Sequence, residues 1–220
     1  MNESVLDFDH AMSRHFWSEL EELIGFFGDS FAIIAVLDPH PVDYYYNEFS
    51  QYNWCVLQKG TTADEYWSIL EQGPEESPAD SILINSEVIV WISSKMKWAI
   101  WGERSYGICV LGLNDGDISG YESESWFTMD QAISELLPLN FRNCTVPEEI
   151  TSMLLKCYRS NKHSKPESEI IADSMELTSR RTKCSNLSRK SRVSCVYIEL
   201  LREQRIGLEF EKELGNLHIM

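Results

Sequence analysis

The feature that most constrains the fold is a series of short strand-like segments between residues 81 and 113. The series has four segments, at residues 81–83, 87–92, 97–101 and 108–113, which contain β-branched and aromatic residues. Only short links separate them, and residues 102–107 have the composition of a hairpin connection. Because consecutive strands with short links pair antiparallel, we expect a β-meander in this region.

The flanking sequence predicts helices and further strands. Apolar residues recur at three- and four-residue steps over residues 9–27, which predicts an amphipathic helix ending at Gly28. Capping sequences at Thr62, Thr128 and Thr145 predict three more helices. Apolar runs at residues 31–37 and 53–58 are typical of strands. We therefore expect an α+β fold with an antiparallel β-meander of three to five strands packed with three to four helices.

Charge divides the chain into unlike parts. Residues 1–150 hold six Lys and Arg against 26 Asp and Glu, whereas residues 151–220 hold 13 against nine. All seven Trp lie before residue 127. We therefore expect an acidic α+β domain over residues 1–158, followed by a basic C-terminal extension. In that extension, residues 159–195 form a Ser-rich linker or arm and residues 196–220 a C-terminal helix.

The sequence also bears on location. Residues 1–9 contain no basic residue, and no apolar stretch of the signal-peptide kind follows them. The longest apolar run has seven residues, at 31–37, whereas a membrane span needs about 20. The six cysteines include no Cys-x-x-Cys pair. These features predict a cytoplasmic protein with free thiols and no membrane association.

Signatures of catalysis and cofactor binding are missing from the sequence. It contains no Gly-x-Ser-x-Gly, no His-Glu-x-x-His and no glycine-rich phosphate-binding pattern. The stretch Asp115–Gly120 resembles the start of a calcium loop, but Trp126 occupies the position of the usual bidentate Glu. We therefore expect an acidic turn or contact loop there, with no cofactor, no metal site and no enzymatic activity. An enzyme without a recognisable motif stays open as an alternative.

The acidic body favours a basic protein as the partner. A net charge of −20 over residues 1–150 repels phosphate backbones and attracts cations. Carboxylates and accessible tyrosines are suited to such an interface. The expected contacts are Tyr44, Tyr45, Tyr46, Glu75, Glu76, Asp115, Asp117, Glu122 and Glu124. The basic cluster at residues 180–192 leaves open a second role for the tail, as a nucleic-acid-associated adaptor or a solvated arm.

One segment of the meander resembles a known class of proteins. The 16 residues Lys97-Trp-Ala-Ile-Trp-Gly-Glu-Arg-Ser-Tyr-Gly-Ile-Cys-Val-Leu-Gly112 resemble a hairpin in small acidic bacterial immunity proteins. Such proteins bind and block a cognate toxin in the producing cell. The resemblance implies a non-enzymatic inhibitor with an α+β fold, and it carries over no individual functional residue. A toxin that acts on nucleic acid must be basic, which agrees with an acidic inhibitor.

Overall fold

The computed structural model describes residues 4–113 and 125–158, with side chains up to Lys156. The strands are β1 (Ser4–Asp7), β2 (Phe31–Asp38), β3 (Trp54–Gln58), β4 (Val88–Ser93), β5 (Trp98–Glu103) and β6 (Ile108–Leu113). They form one antiparallel sheet in the order β1-β6-β5-β4-β2-β3. The predicted α+β class and the meander, formed by β4, β5 and β6, are confirmed. The predicted arm and C-terminal helix lie outside the described residues.

Helices and tight helical turns fill the connections. The α-helices are α1 (Phe8–Ala11), α2 (Phe16–Phe26), α3 (Asn47–Phe49), α4 (Ala63–Leu70), α5 (Met129–Gln131) and α6 (Glu148–Tyr158). Shorter 3-10 or π-type turns lie at Pro41–Tyr46, Pro78–Asp80, Arg104–Tyr106, Ala132–Leu136, Leu137–Asn140 and Arg142–Cys144. The capping box at Thr62 is confirmed, because its side chain accepts from the Glu65 amide and Glu65 accepts from the Thr62 amide.

Two expectations about the first half of the chain are wrong. The single helix over residues 9–27 is interrupted between Ala11 and Phe16, where the Tyr66 hydroxyl donates to the Ala11 carbonyl oxygen at 2.9 Å. Residues 81–83 form a turn, since the Leu83 amide donates to the carbonyl oxygen of Leu70 at 2.7 Å. In both places a tertiary hydrogen bond satisfies a backbone group that regular secondary structure would otherwise use.

Hydrophobic clusters lie on both faces of the sheet, and the smaller one packs on strands β1 and β6. Successive residues of a strand point to opposite faces, so Cys109 and Leu111 join one cluster while Ile108 and Val110 join the other. The larger cluster holds the buried side chains of α2 and α4, and the smaller one holds those of α5, α6 and the turns between them. The described part of the chain is therefore a sheet with helices on each side.

A buried carboxylate joins the turn before β2 to the β4–β5 hairpin. Asp29 is 3% exposed and accepts hydrogen bonds from Ser93 Oγ at 2.8 Å and Trp98 Nε1 at 3.0 Å. The Ser94 hydroxyl and the Lys95 amide donate to the same carboxylate at 2.8 and 2.9 Å. These donors all belong to the β4–β5 hairpin, and each would lose a partner if the carboxylate were removed. Asp29 therefore holds this end of the hairpin against the turn before β2.

Candidate functional site

The three consecutive tyrosines lie in the helical turn Pro41–Tyr46, between β2 and β3. His40 precedes the turn, and its Nδ1 accepts from the amides of Val42 and Asp43 at 3.3 and 3.1 Å. Pro41 occupies the first position, where a helix needs no backbone donor. The resulting helical geometry sends successive side chains in different directions, so the three tyrosines have different environments.

Tyr45 points into the core. Its side chain is fully buried, and its hydroxyl donates to the Asn85 carbonyl oxygen at 2.7 Å. Burial is the main reason that the pKa of Tyr45 is raised to about 12. This tyrosine anchors the turn to the segment before β4 and leaves no surface for a partner.

Tyr44 is half-buried and binds the carboxylate of Asp80. Its hydroxyl donates to Asp80 Oδ1 at 2.8 Å, Asn85 Nδ2 donates to the same oxygen at 2.5 Å, and Ser77 Oγ donates to Oδ2 at 2.6 Å. Asp80 is only 7% exposed. Burial raises the pKa of Asp80, but the hydrogen bonds from Ser77, Tyr44 and Asn85 outweigh it and hold the pKa below its usual value.

Asp80 therefore brings the tyrosine turn and the acidic loop together. Glu75 and Glu76 are exposed in the loop that leads from α4 to Ser77, whose hydroxyl binds Asp80. Tyr44 and Asp80 are 36 residues apart in the sequence, and their hydrogen bond joins the two segments directly. The structure thus places two of the three predicted contact groups on adjoining segments.

Further accessible side chains lie on the same segments. Tyr46 stacks on Tyr52 with ring centroids 5.0 Å apart and an interplanar angle of 21°. Ile84 is 61% exposed beside Asn85. We call the accessible side chains of these segments the acidic tyrosine surface, which comprises Asp43, Tyr44, Tyr46, Glu48, Tyr52, Glu75, Glu76 and Ile84.

The charged side chains of this surface itself are all acidic, and the guanidinium of Arg104 donates to the Leu83 carbonyl oxygen at 2.8 Å, next to Ile84. The sequence contains no Lys or Arg between Arg14 and Lys59, or between Lys59 and Lys95. The negative charge of Glu48 contributes to raising the pKa of Tyr44, after the larger effects of the hydrogen bond to Asp80, burial and the charge of Asp80. The charged side chains of this surface therefore suit a cationic partner.

Sequence reasoning missed Tyr52, Ile84 and Asp80. Ile84 was not predicted to be exposed, because residues 81–83 were expected to form a strand. The alternation of side chains in a strand does not show which of them reach solvent when the segment is a turn. Asp80 lies within the acidic stretch 75–80, where nothing in the sequence separates a buried carboxylate from the exposed ones. The remaining predicted contacts, Asp115, Asp117, Glu122 and Glu124, lie outside the described residues, as do the calcium-like loop and the basic cluster at 180–192.

Two histidines of the described region lie close to carboxylates. His10 Nε2 lies 2.6 Å from Glu19 Oε1, and His40 Nδ1 lies 3.5 Å from Asp43 Oδ2. Burial raises the pKa of the Cys109 thiol well above its usual value. Across residues 4–113 and 125–158, no group of three or more His, Cys, Asp and Glu side chains is arranged to hold a metal ion.

The acidic tyrosine surface is thus the most distinctive polar feature of the described residues. Among those residues, none of the helices combines the length and apolar character needed to cross a membrane. No protein-family model, curated protein or solved structure matches the chain.

Proposed function

We propose that this chain is a non-enzymatic binding protein that recognises a basic protein through the acidic tyrosine surface. The Tyr44–Asp80 hydrogen bond is the observation that carries the proposal, because it joins the tyrosine turn to the loop of Glu75 and Glu76. Aromatic side chains anchor many protein interfaces, and carboxylates steer an oppositely charged partner toward them.

The partner in this proposal is a toxin, and the chain is its immunity protein or inhibitor. A toxin that acts on nucleic acid carries a cationic cleft, because it must bind phosphates. An acidic surface that occupies this cleft blocks substrate by charge and by steric exclusion. The resemblance of residues 97–112 to immunity-protein hairpins gives separate support for this class of partner.

Capture from a lysate of the source cells tests the proposal. Tagged wild-type protein is compared with E75K/E76K, which reverses two exposed carboxylates of the surface, and with E22K/E135K. The second variant makes the same change in net charge at exposed positions on other elements, so it is a matched control. We expect a basic protein to be retained by the wild-type and control proteins and lost by E75K/E76K.

Expression of the captured protein tests the inhibitor role. We expect it to stop growth when expressed alone, and co-expression of the wild-type chain to restore growth. A captured protein that is harmless would contradict the toxin assignment. Equal capture by E75K/E76K and wild type would contradict the role of the surface.

A further inference from the structure

The outer edge of the sheet at β3 presents backbone groups that the sheet does not use. The hydrogen bonds from the Lys59 amide to Ser30 and from the Val36 amide to Asn53, both 3.0 Å, identify the hydrogen-bonded pairs of the β2–β3 ladder. Such pairs alternate along an antiparallel ladder.

This register fixes the direction of the backbone groups in β3. Those of Cys55 and Leu57 face β2, whereas the amides of Val56 and Gln58 face away from the sheet. Within residues 4–113 and 125–158, neither outward amide donates a hydrogen bond to another backbone group. Val56 is half-buried and Gln58 is exposed. Their carbonyl oxygens accept from Cys55 Sγ at 3.7 Å and from the Thr61 amide at 3.1 Å, so the two amides are the groups left for a further strand.

The opposite edge of the sheet, at β1, is covered by a backbone bridge, whereas no such bridge is formed by β3 in the described residues. At β1, the Val5 amide donates to the Phe127 carbonyl oxygen at 2.8 Å, and the Phe127 amide donates back at 2.7 Å. By contrast, β3 contains no charged residue and no proline, and its ladder to β2 runs without a bulge. Edge strands normally carry one of these features, because an open regular edge can accept another strand.

The start of β3 adjoins the acidic tyrosine surface. Asn53, the residue before the strand, donates from Nδ2 to the Asp80 carbonyl oxygen at 3.2 Å. Tyr52, the residue before that, stacks on Tyr46. The other end of the strand is followed by the cation Lys59. The tyrosine part of that surface therefore lies beside the start of β3, and a cation follows the end of the strand.

We propose that the partner adds an extended basic segment to β3 as a further strand of the sheet. This inference rests on the proposed function and specifies how the partner binds. Main-chain hydrogen bonds to Val56 and Gln58 hold the segment, and its Lys or Arg side chains lie at the Asn53 end, against the acidic tyrosine surface. The partner chemistry is thus a basic, β-forming polypeptide segment.

A synthetic peptide tests the proposal on the wild-type protein. The probe is an acetylated and amidated peptide of sequence KVKVTV, with two lysines toward one end and β-branched residues throughout. A second peptide has the same side chains but carries an N-methyl group on every backbone amide, so neither of its edges can complete a strand ladder. We expect KVKVTV to slow hydrogen exchange at the Val56 and Gln58 amides by about tenfold. The methylated peptide should leave that exchange unchanged, and equal effects of the two peptides, or no effect of either, would overturn the proposal.

A proline variant separates this proposal from the proposed function. Q58P removes an outward amide that the β2–β3 ladder does not use, and Q58A is its control because it keeps that amide. We expect Q58P to weaken KVKVTV binding about fivefold, as for the loss of one hydrogen bond, with Q58A unchanged. If folded Q58P and Q58A bind the captured partner equally while E75K/E76K does not, the edge proposal fails and the proposed function stands. If E75K/E76K also binds that partner normally, the proposed function fails as well.

Discussion

Tyr44 donates a hydrogen bond to Asp80 that joins the helical turn before β3 to the loop after α4. The bond therefore organises the surface to which we assign binding. Asp80 is buried and accepts from three side chains, so its carboxylate cannot turn toward solvent without leaving donors unpaired. Tyr44 is consequently held in one orientation before any partner arrives, which lowers the entropic cost of binding.

A double-mutant cycle measures the coupling of these two residues. The single variant Y44F should lower the free energy of unfolding because Asp80 loses one donor. The single variant D80A should lower it by more, because three donors lose their acceptor. In the D80A background, Y44F should have almost no additional effect. Urea denaturation of the four proteins checks this expectation, and strictly additive effects would show that the two side chains are not coupled.

The pH dependence of stability also reports on Asp80. Its pKa in the folded protein lies below the ordinary value of 3.8, so its contribution to stability is present above that value and is lost as the pH falls through the folded pKa. D80N should therefore reduce the loss of stability on acidification below about pH 4. Urea midpoints measured from pH 3 to pH 6 test this, and identical acid profiles of the two proteins would contradict it.

His10 gives a stability effect of opposite sign. Its hydrogen bond with Glu19 raises its pKa above 6.5, with smaller contributions from the charges of Glu19 and Asp7 and partial opposition from burial. The contribution to stability is complete below pH 6.5 and is lost as the pH rises through the folded pKa. H10Q should flatten the fall in stability between about pH 6 and pH 8. Thermal midpoints across this range check the prediction, and E19Q should reproduce the effect of H10Q.

Asp29 is the polar residue whose loss should be most damaging to the fold. D29A leaves the hydroxyls of Ser93 and Ser94 and the indole of Trp98 without their Asp29 acceptor, and it removes one of the two acceptors of the Lys95 amide. We expect the free energy of unfolding to fall by about 3 kcal/mol or more, because several buried donors lose a charged partner. Urea unfolding followed by tryptophan fluorescence measures this. The control E76A removes an exposed carboxylate and should change stability by less than about 0.5 kcal/mol.

Local patterns in the sequence predicted the parts of the fold that local interactions decide. The Thr62 capping box needs only residues 62–65, and it is present. Trp98 and Trp101 are three apart in β5 and lie on opposite faces, with Trp98 buried and Trp101 partly exposed. Strand β1 escaped prediction because it has only two apolar residues, Val5 and Leu6, and is stabilised by pairing with β6, 104 residues later.

The candidate surface depended on long-range contacts that no local pattern records. Three adjacent tyrosines in the sequence give no indication that Tyr45 binds Asn85 while Tyr44 binds Asp80. Composition was sufficient to predict an acidic chain, since charge summed over the chain needs no fold. The adjacency of the Tyr44 turn and the Glu75 loop required the structure, because it depends on the long-range hydrogen bond between Tyr44 and the buried Asp80.

The most direct test of the central claim is the association rate of the captured basic partner, measured by stopped-flow fluorescence at several salt concentrations. Electrostatic steering by the acidic tyrosine surface predicts fast association with wild-type protein and with E22K/E135K, falling steeply as salt rises. E75K/E76K should associate about tenfold more slowly at low salt, and with a weaker dependence on salt. If E75K/E76K and wild type associate at the same rate at every salt concentration, the acidic tyrosine surface does not guide the partner and the account is wrong.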